Sequence, residues 1–124
     1  MKILHLALFV LASVFSVQCP AAGVPLSSIE GRWGRDNCKQ YIHTVKFTPN
    51  RQFLKFTDDD KTFYYYVAGE TERGYKLVML PEERFDSAGN PVFWYVVFHG
   101  SNSYSWLRSD RSPEDLRGPV TRCR

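Results

Sequence analysis

The chain has 124 residues, 44% hydrophobic and 15% aromatic, with a formal net charge of +3. That length holds one domain and a short leader rather than two domains. The weak charge, with no run of basic residues, excludes an electrostatic footprint for nucleic acid or an anionic membrane surface.

The chain opens MKILHLALFVLASVFSVQC. Lys2 gives a short positive start, and Ile3 to Val17 is almost wholly apolar. This core is too short to span a bilayer and small residues follow it, which is the pattern of a secretory leader. Cleavage after Gly23 places Ala21 and Gly23 at the −3 and −1 positions; cuts after Ala21 or Ala22 are the alternatives. A lipoprotein would carry its lipid on Cys19, but Gln18 before it is not small. The expected organisation is a signal peptide over 1–23 and a single domain over 24–124. That domain keeps fifteen basic residues against thirteen acids, a formal charge of +2. It holds no second apolar segment of membrane-spanning length. The expectation is a monomeric protein exported to the periplasm or beyond the cell, with no stable membrane insertion.

Past the leader, helical periodicity is nearly absent and short alternating runs are separated by turn signals. QYIHTVKF (40–47) alternates Tyr41, His43, Val45 and Phe47 against Ile42, Thr44 and Lys46. TPNR makes a turn, and QFLKFT (52–57) follows. DDDK turns the chain into TFYYYVAG (62–69), and GETERG leads to YKLVML (75–80). PEERFDSAGN (81–90) is the one longer loop. PVFWYVVFHG (91–100), a GSN turn and SYSWLR (103–108) complete six clear strands. GRWG (31–34) and PVTRC (119–123) read as edge strands, giving seven or eight. SPEDLRG (112–118) reads as one helical turn, with Ser112 as N-cap, Pro113 at the first helical position and Gly118-Pro119 as the stop. The predicted fold is all-β, a small antiparallel up-and-down meander barrel of 7–8 strands with one short C-terminal helical turn.

Cys38 and Cys123 remain once Cys19 leaves with the leader. An even pair in an exported chain reads as a disulfide, here tying the first strand region to the C-terminal tail. Two cysteines offer too few ligands for a metal site, and no cofactor is expected.

The 91–100 run does not alternate in polarity. In a strand, Val92, Trp94, Val96 and Phe98 face one way, and Phe93, Tyr95, Val97 and His99 the other. A sheet with one wet face has no use for such a strand. The inner set belongs in a closed or nearly closed barrel. The outer set is expected beneath the helical turn and the tail held by Cys123; left uncovered, it marks an interaction site.

Gly31-Arg32-Trp33, just before the first strand, resembles the Gly-x-Trp signature of lipocalins and related calycins. The resemblance implies an up-and-down barrel whose bottom is plugged by the Trp, with an Arg near the C-terminal end packed over it. Arg108 or Arg122 is the candidate for that Arg. It also implies a cysteine link from early chain to C-terminal tail. In length the chain is nearer to small exported bacterial barrels such as the periplasmic lysozyme inhibitors.

An eight-stranded barrel has room for its own side chains or one small ligand. About one residue in six of the expected mature chain is aromatic, enough to fill the interior. Phe47, Phe53 or Phe56, Tyr64 or Tyr65, Trp94 and Trp106 are the inward candidates. Binding would then fall to the rim loops or the outer wall.

The signals for chemistry are sparse. His43 and His99 are the histidines left after processing, and either allows a dyad with Asp36 or Asp110. No nucleophile elbow, His-Glu-x-x-His or Gly-rich phosphate loop accompanies them. Asp58-Asp59-Asp60 lacks the alternating spacing and glycine of a calcium loop and reads as a solvated hairpin turn. The Tyr64–Tyr66 run with Trp94, Tyr95, Tyr104 and Trp106 offers an aromatic surface for a sugar ring or a protein. Phe85, flanked by charges on the long loop, is a candidate anchor.

The expectation is a non-catalytic exported binding protein acting on a protein partner, in an inhibitor or immunity-type role. The expected contact residues are Trp33, Tyr65, Phe85, Trp94, Tyr95 and Trp106. A lipocalin-like carrier of a small apolar ligand is the first alternative. A weak His-dependent enzyme is the second.

Overall fold

The structure, a computed structural model, describes residues 23–80 and 84–124. Residues 1–22 of the expected leader, Cys19 among them, therefore lie outside the described residues, as do Glu82 and Glu83 of the long loop. Eight antiparallel strands close into a meander barrel. They are β1 (Gly31–Arg35), β2 (Gln40–Phe47), β3 (Phe53–Asp58), β4 (Lys61–Thr71), β5 (Gly74–Leu80), β6 (Trp94–Gly100), β7 (Ser103–Arg108) and β8 (Arg117–Arg122). Both expected edge strands are present. Pairing β1 with both β2 and β8 removes the edges altogether.

The turns form where side chains bond their own backbone. The Thr48 hydroxyl donates to Asn50 Oδ1 at 2.7 Å, and that oxygen accepts from the Gln52 N–H at 3.2 Å. Asp59 takes a φ of 46° in the two-residue turn between β3 and β4, a conformation that Asp tolerates. At the start of β5 only glycine fits. Gly74 has a φ of 130°, and a Cβ there would lie 2.3 Å from the Val96 carbonyl oxygen.

The barrel has one plugged end. Ile29, Trp33, Val45, Leu54 and Val120 are fully buried there. A 3₁₀ turn over Leu26–Ile29 crosses beneath them, and the Trp33 indole N–H donates to the Ile29 carbonyl at 2.7 Å. The Arg122 guanidinium lies 4.4 Å over the Trp33 ring. It donates to the carbonyls of Ser28, Glu30 and Ser101 and to Asn102 Oδ1. Tyr75 adds a bond from its hydroxyl to the Val24 carbonyl at 2.7 Å. Arg122, rather than Arg108, is thus the arginine packed over the tryptophan.

The apolar run of β6 is hidden on both faces. Trp94, Val96 and Phe98 face inward. The strand begins at Trp94 rather than at residue 91, because Pro91 forms only an isolated bridge to Phe85. On the outer face, Tyr95 pairs with Leu107 of β7, and both are buried apart from the interior cluster. Phe93 packs edge-on against Tyr95 at 5.3 Å, and Lys76 lies 4.0 Å over the Phe93 ring. The helical turn does not supply the cover that was expected. It is a 3₁₀ turn over Pro113–Asp115 that buries no residue, and Leu116 after it is exposed. Ser112 stands at the N-cap position and Pro113 follows at the start of the turn, as expected, but the Ser112 side chain makes no capping hydrogen bond.

Cys38 and Cys123 are bonded, with Cα atoms 5.8 Å apart and a sequence separation of 85. The bond is compatible with an oxidising, exported compartment. Among the described residues no helix is long and apolar enough to cross a membrane.

Candidate functional site

The opposite end of the barrel is open. There the interior holds a cavity of about 240 Å³. Leu77, Val96 and Tyr104 form its floor. Phe56, Tyr65, Trp94 and Trp106 form the wall, with Tyr41, His43 and Asp58 toward the mouth. The expectation of an interior filled by aromatics is therefore corrected. The rings pack edge-to-face around the wall instead of crossing the lumen. Phe56 meets Tyr65 at 5.0 Å and 72°, and Tyr65 meets Trp94 at 5.7 Å and 80°. Such T-shaped contacts satisfy each ring against its neighbour and leave the axis vacant.

Strand register explains the lining. Leu54 pairs with Tyr65, Leu77 with Trp94, and Val96 with Trp106, so each pair shares the inner face. Tyr41 enters differently. It has a φ of 52° at the start of β2, a costly conformation for a bulky residue. Its ring is exposed at the mouth, with the Arg35 guanidinium 5.6 Å above it.

His43 is the polar centre of the cavity. Its Nδ1–H donates to the Tyr41 carbonyl at 2.7 Å, and its Nε2 accepts from the Tyr104 hydroxyl. This pattern requires the neutral ring. Burial lowers the His43 pKa, against smaller raising effects from the Tyr41 carbonyl and the Asp58 charge. Burial likewise holds Tyr104 protonated, well above the usual phenol range. A sign follows for stability. As pH falls through about 6.5 the unfolded chain takes up a proton on this residue before the folded one does. The contribution is whole above that pH and declines below it until the lower folded pKa is passed. Thermal melts at pH 7.5 and 5.0 should show a steeper loss of Tm in the wild type than in His43→Gln. Equal slopes would mean that His43 is not held neutral.

Three of the six expected contact residues, Tyr65, Trp94 and Trp106, line this cavity. The other three do not. Trp33 is the plug at the far end, fully buried. Tyr95 is buried on the outer face. Phe85 is 61% exposed and stands on the loop, away from the lining.

Neither histidine bonds Asp36 or Asp110. Asp110 pairs with Arg108 at 2.9 Å. His99 Nε2 lies 2.7 Å from the Ser105 hydroxyl, a Ser–His contact that spacing alone did not reveal. Ser105 is 1% exposed, so its oxygen is walled off from any incoming carbonyl. The contact satisfies a buried hydroxyl. Among the described residues no cluster of three or more His, Cys, Asp or Glu is placed to hold a metal ion.

Comparison of the chain with protein-family models, with curated proteins and with solved structures finds no match.

Proposed function

We propose that this chain is an exported, non-catalytic binding protein that takes a small ring-bearing ligand into the open end of its barrel. One observation carries the reading: a cavity of about 240 Å³ lined chiefly by apolar and aromatic side chains, at the one end that is not plugged. A cavity of roughly 150 Å³ is enough for benzene, so this one takes a ring or a fused pair. Wall rings on rigid strands present their faces and edges without reordering, which favours binding. The disulfide and the apolar leader support export.

Native mass spectrometry of the protein from the exported fraction of its own host is the direct test. A co-purifying small mass is expected. Trp106→Ala removes one wall of the cavity and should weaken binding of a naphthyl probe by about tenfold to a hundredfold, from the apolar area lost. Isothermal titration calorimetry reads it. A bare polypeptide mass, together with no measurable affinity for neutral or charged naphthyl probes, would overturn the reading.

A protein partner, in an inhibitor or immunity-type role, is the second reading. Tyr64, Tyr66 and Leu80 are each more than 40% exposed on the outer wall of β4 and β5, where Tyr64 pairs with Leu80. A co-purifying polypeptide in the same spectra would favour it.

A further inference from the structure

A second cavity, of about 310 Å³, adjoins the first at the mouth. The two share Tyr41 and Trp106. The charged residues of its lining are four arginines, Arg35, Arg108, Arg111 and Arg117, and one acid, Asp115. These arginines come from the end of β1, the end of β7, the connection after it and the start of β8. Barrel closure brings them together.

Their charges are poorly matched within the chain. Among the described residues Arg108–Asp110 is the only salt bridge. Even there, the Arg108 Nε–H is buried with no hydrogen-bond partner. A buried donor left unpaired is costly, and arginine's planar fork suits an oxyanion that can accept two bonds at once. Asp58 lines the aromatic cavity on the other side of the mouth, so the positive surplus belongs to the β1, β7 and β8 side.

Resting on the reading of the aromatic cavity as a ligand site, we propose that its ligand is an amphipathic anion. The apolar ring enters the cavity beside Trp94 and Trp106. A carboxylate or phosphate head is held at the rim by Arg108 and Arg117. Tyr41 and Trp106, common to both cavities, lie along the join. The arginine rim thereby selects among molecules that the aromatic wall alone would admit equally.

The test is calorimetric titration of the oxidised, folded protein with 2-naphthoate and with 2-naphthamide, which share a ring system and differ in charge. The carboxylate should bind at least about tenfold tighter at low salt, with the advantage shrinking as sodium chloride is added. In the Arg108→Gln/Arg117→Gln double variant the two probes should bind within about twofold of each other, with naphthamide affinity little changed. Arg73→Gln, in the turn at the plugged end, should leave the preference intact. Equal wild-type affinities for both probes would overturn the anion proposal and leave the ring-binding cavity standing. A tenfold preference that survives in the double variant would also overturn it. Binding of neither probe would overturn the anion proposal and, together with a bare polypeptide mass in the native spectra, the ring-binding reading as well. Comparing 2-naphthyl phosphate with 2-naphthoate then assigns the head: the tighter of the two names it.

Discussion

Replacing Cys38 and Cys123 by serine should cost the barrel about 4–5 kcal/mol of stability. The figure comes from the 85-residue separation of the bonded pair and the loop entropy that the bond removes from the unfolded chain. It is a large share of the 5–15 kcal/mol that holds a typical domain together. Its place in the fold adds to its weight. The bond spans the seam where the last strand meets the first. There β1 and β8 align through Trp33 with Arg122 and Gly34 with Thr121, and the Cys123 N–H reaches the Arg32 carbonyl at 2.8 Å. Without the bond, the chain ends must find each other at full entropic cost. Urea unfolding should show a lower midpoint for Cys38→Ser/Cys123→Ser, and a matching drop for reduced wild type. A larger m-value is also expected, because an uncrosslinked unfolded chain exposes more surface. A loss below about 1 kcal/mol would mean that the Trp33–Arg122 packing holds the seam unaided.

The meander was legible in the sequence because each strand carries its own signal. Alternation along 40–47 and the turn chemistry of Thr48 to Arg51 and Asp58 to Lys61 are local, and local signals survive without knowledge of the partner strand. The plug was expected only from the resemblance carried by Gly31-Arg32-Trp33 and not from any local strand or turn signal. Which arginine covers it was not legible, since Arg108 and Arg122 both end C-terminal strands. Only the register, with Trp33 opposite Arg122, decides between them.

The cavity was harder to read. Alternation says that Phe56, Tyr65, Trp94 and Trp106 point inward. It does not say whether four rings meet across the axis or stand around it. That depends on their mutual angles, a property of the closed barrel. The arginine rim was hidden for another reason. Arg35, Arg108, Arg111 and Arg117 form no run, and a total charge of +3 is too weak to point to a cluster. Closure of β8 onto β1 turns four scattered residues into one lining. Likewise the helical turn expected over the outer face of β6 buries none of its own residues, while Tyr95 there is buried beside Leu107 of the neighbouring strand.

Trp33→Ala should destabilise the barrel by about 3–5 kcal/mol, the range for deleting a large buried aromatic. Three losses combine. The fully buried indole vacates the plugged end. The Ile29 carbonyl loses its donor. The Arg122 guanidinium loses the ring beneath it while its carbonyl partners hold it in place. Trp33→Phe keeps a ring for Arg122 and removes the donor, so it should cost less, roughly 1–3 kcal/mol. The comparison also reaches the far cavity. Trp33 packs edge-on against Tyr104 at 4.8 Å, and Tyr104 is both floor of the cavity and donor to His43. The plug therefore positions the floor. Trp33→Phe should bind 2-naphthamide within about twofold of wild type, because a ring still backs Tyr104. Trp33→Ala, assayed at a temperature where it remains folded, should bind it at least about tenfold more weakly, since a void beneath the floor lets Tyr104 and His43 shift. Urea unfolding and calorimetry separate the two effects. A Trp33→Ala protein that is destabilised yet binds normally would show that plug and cavity are independent, and would confine Trp33 to stability alone.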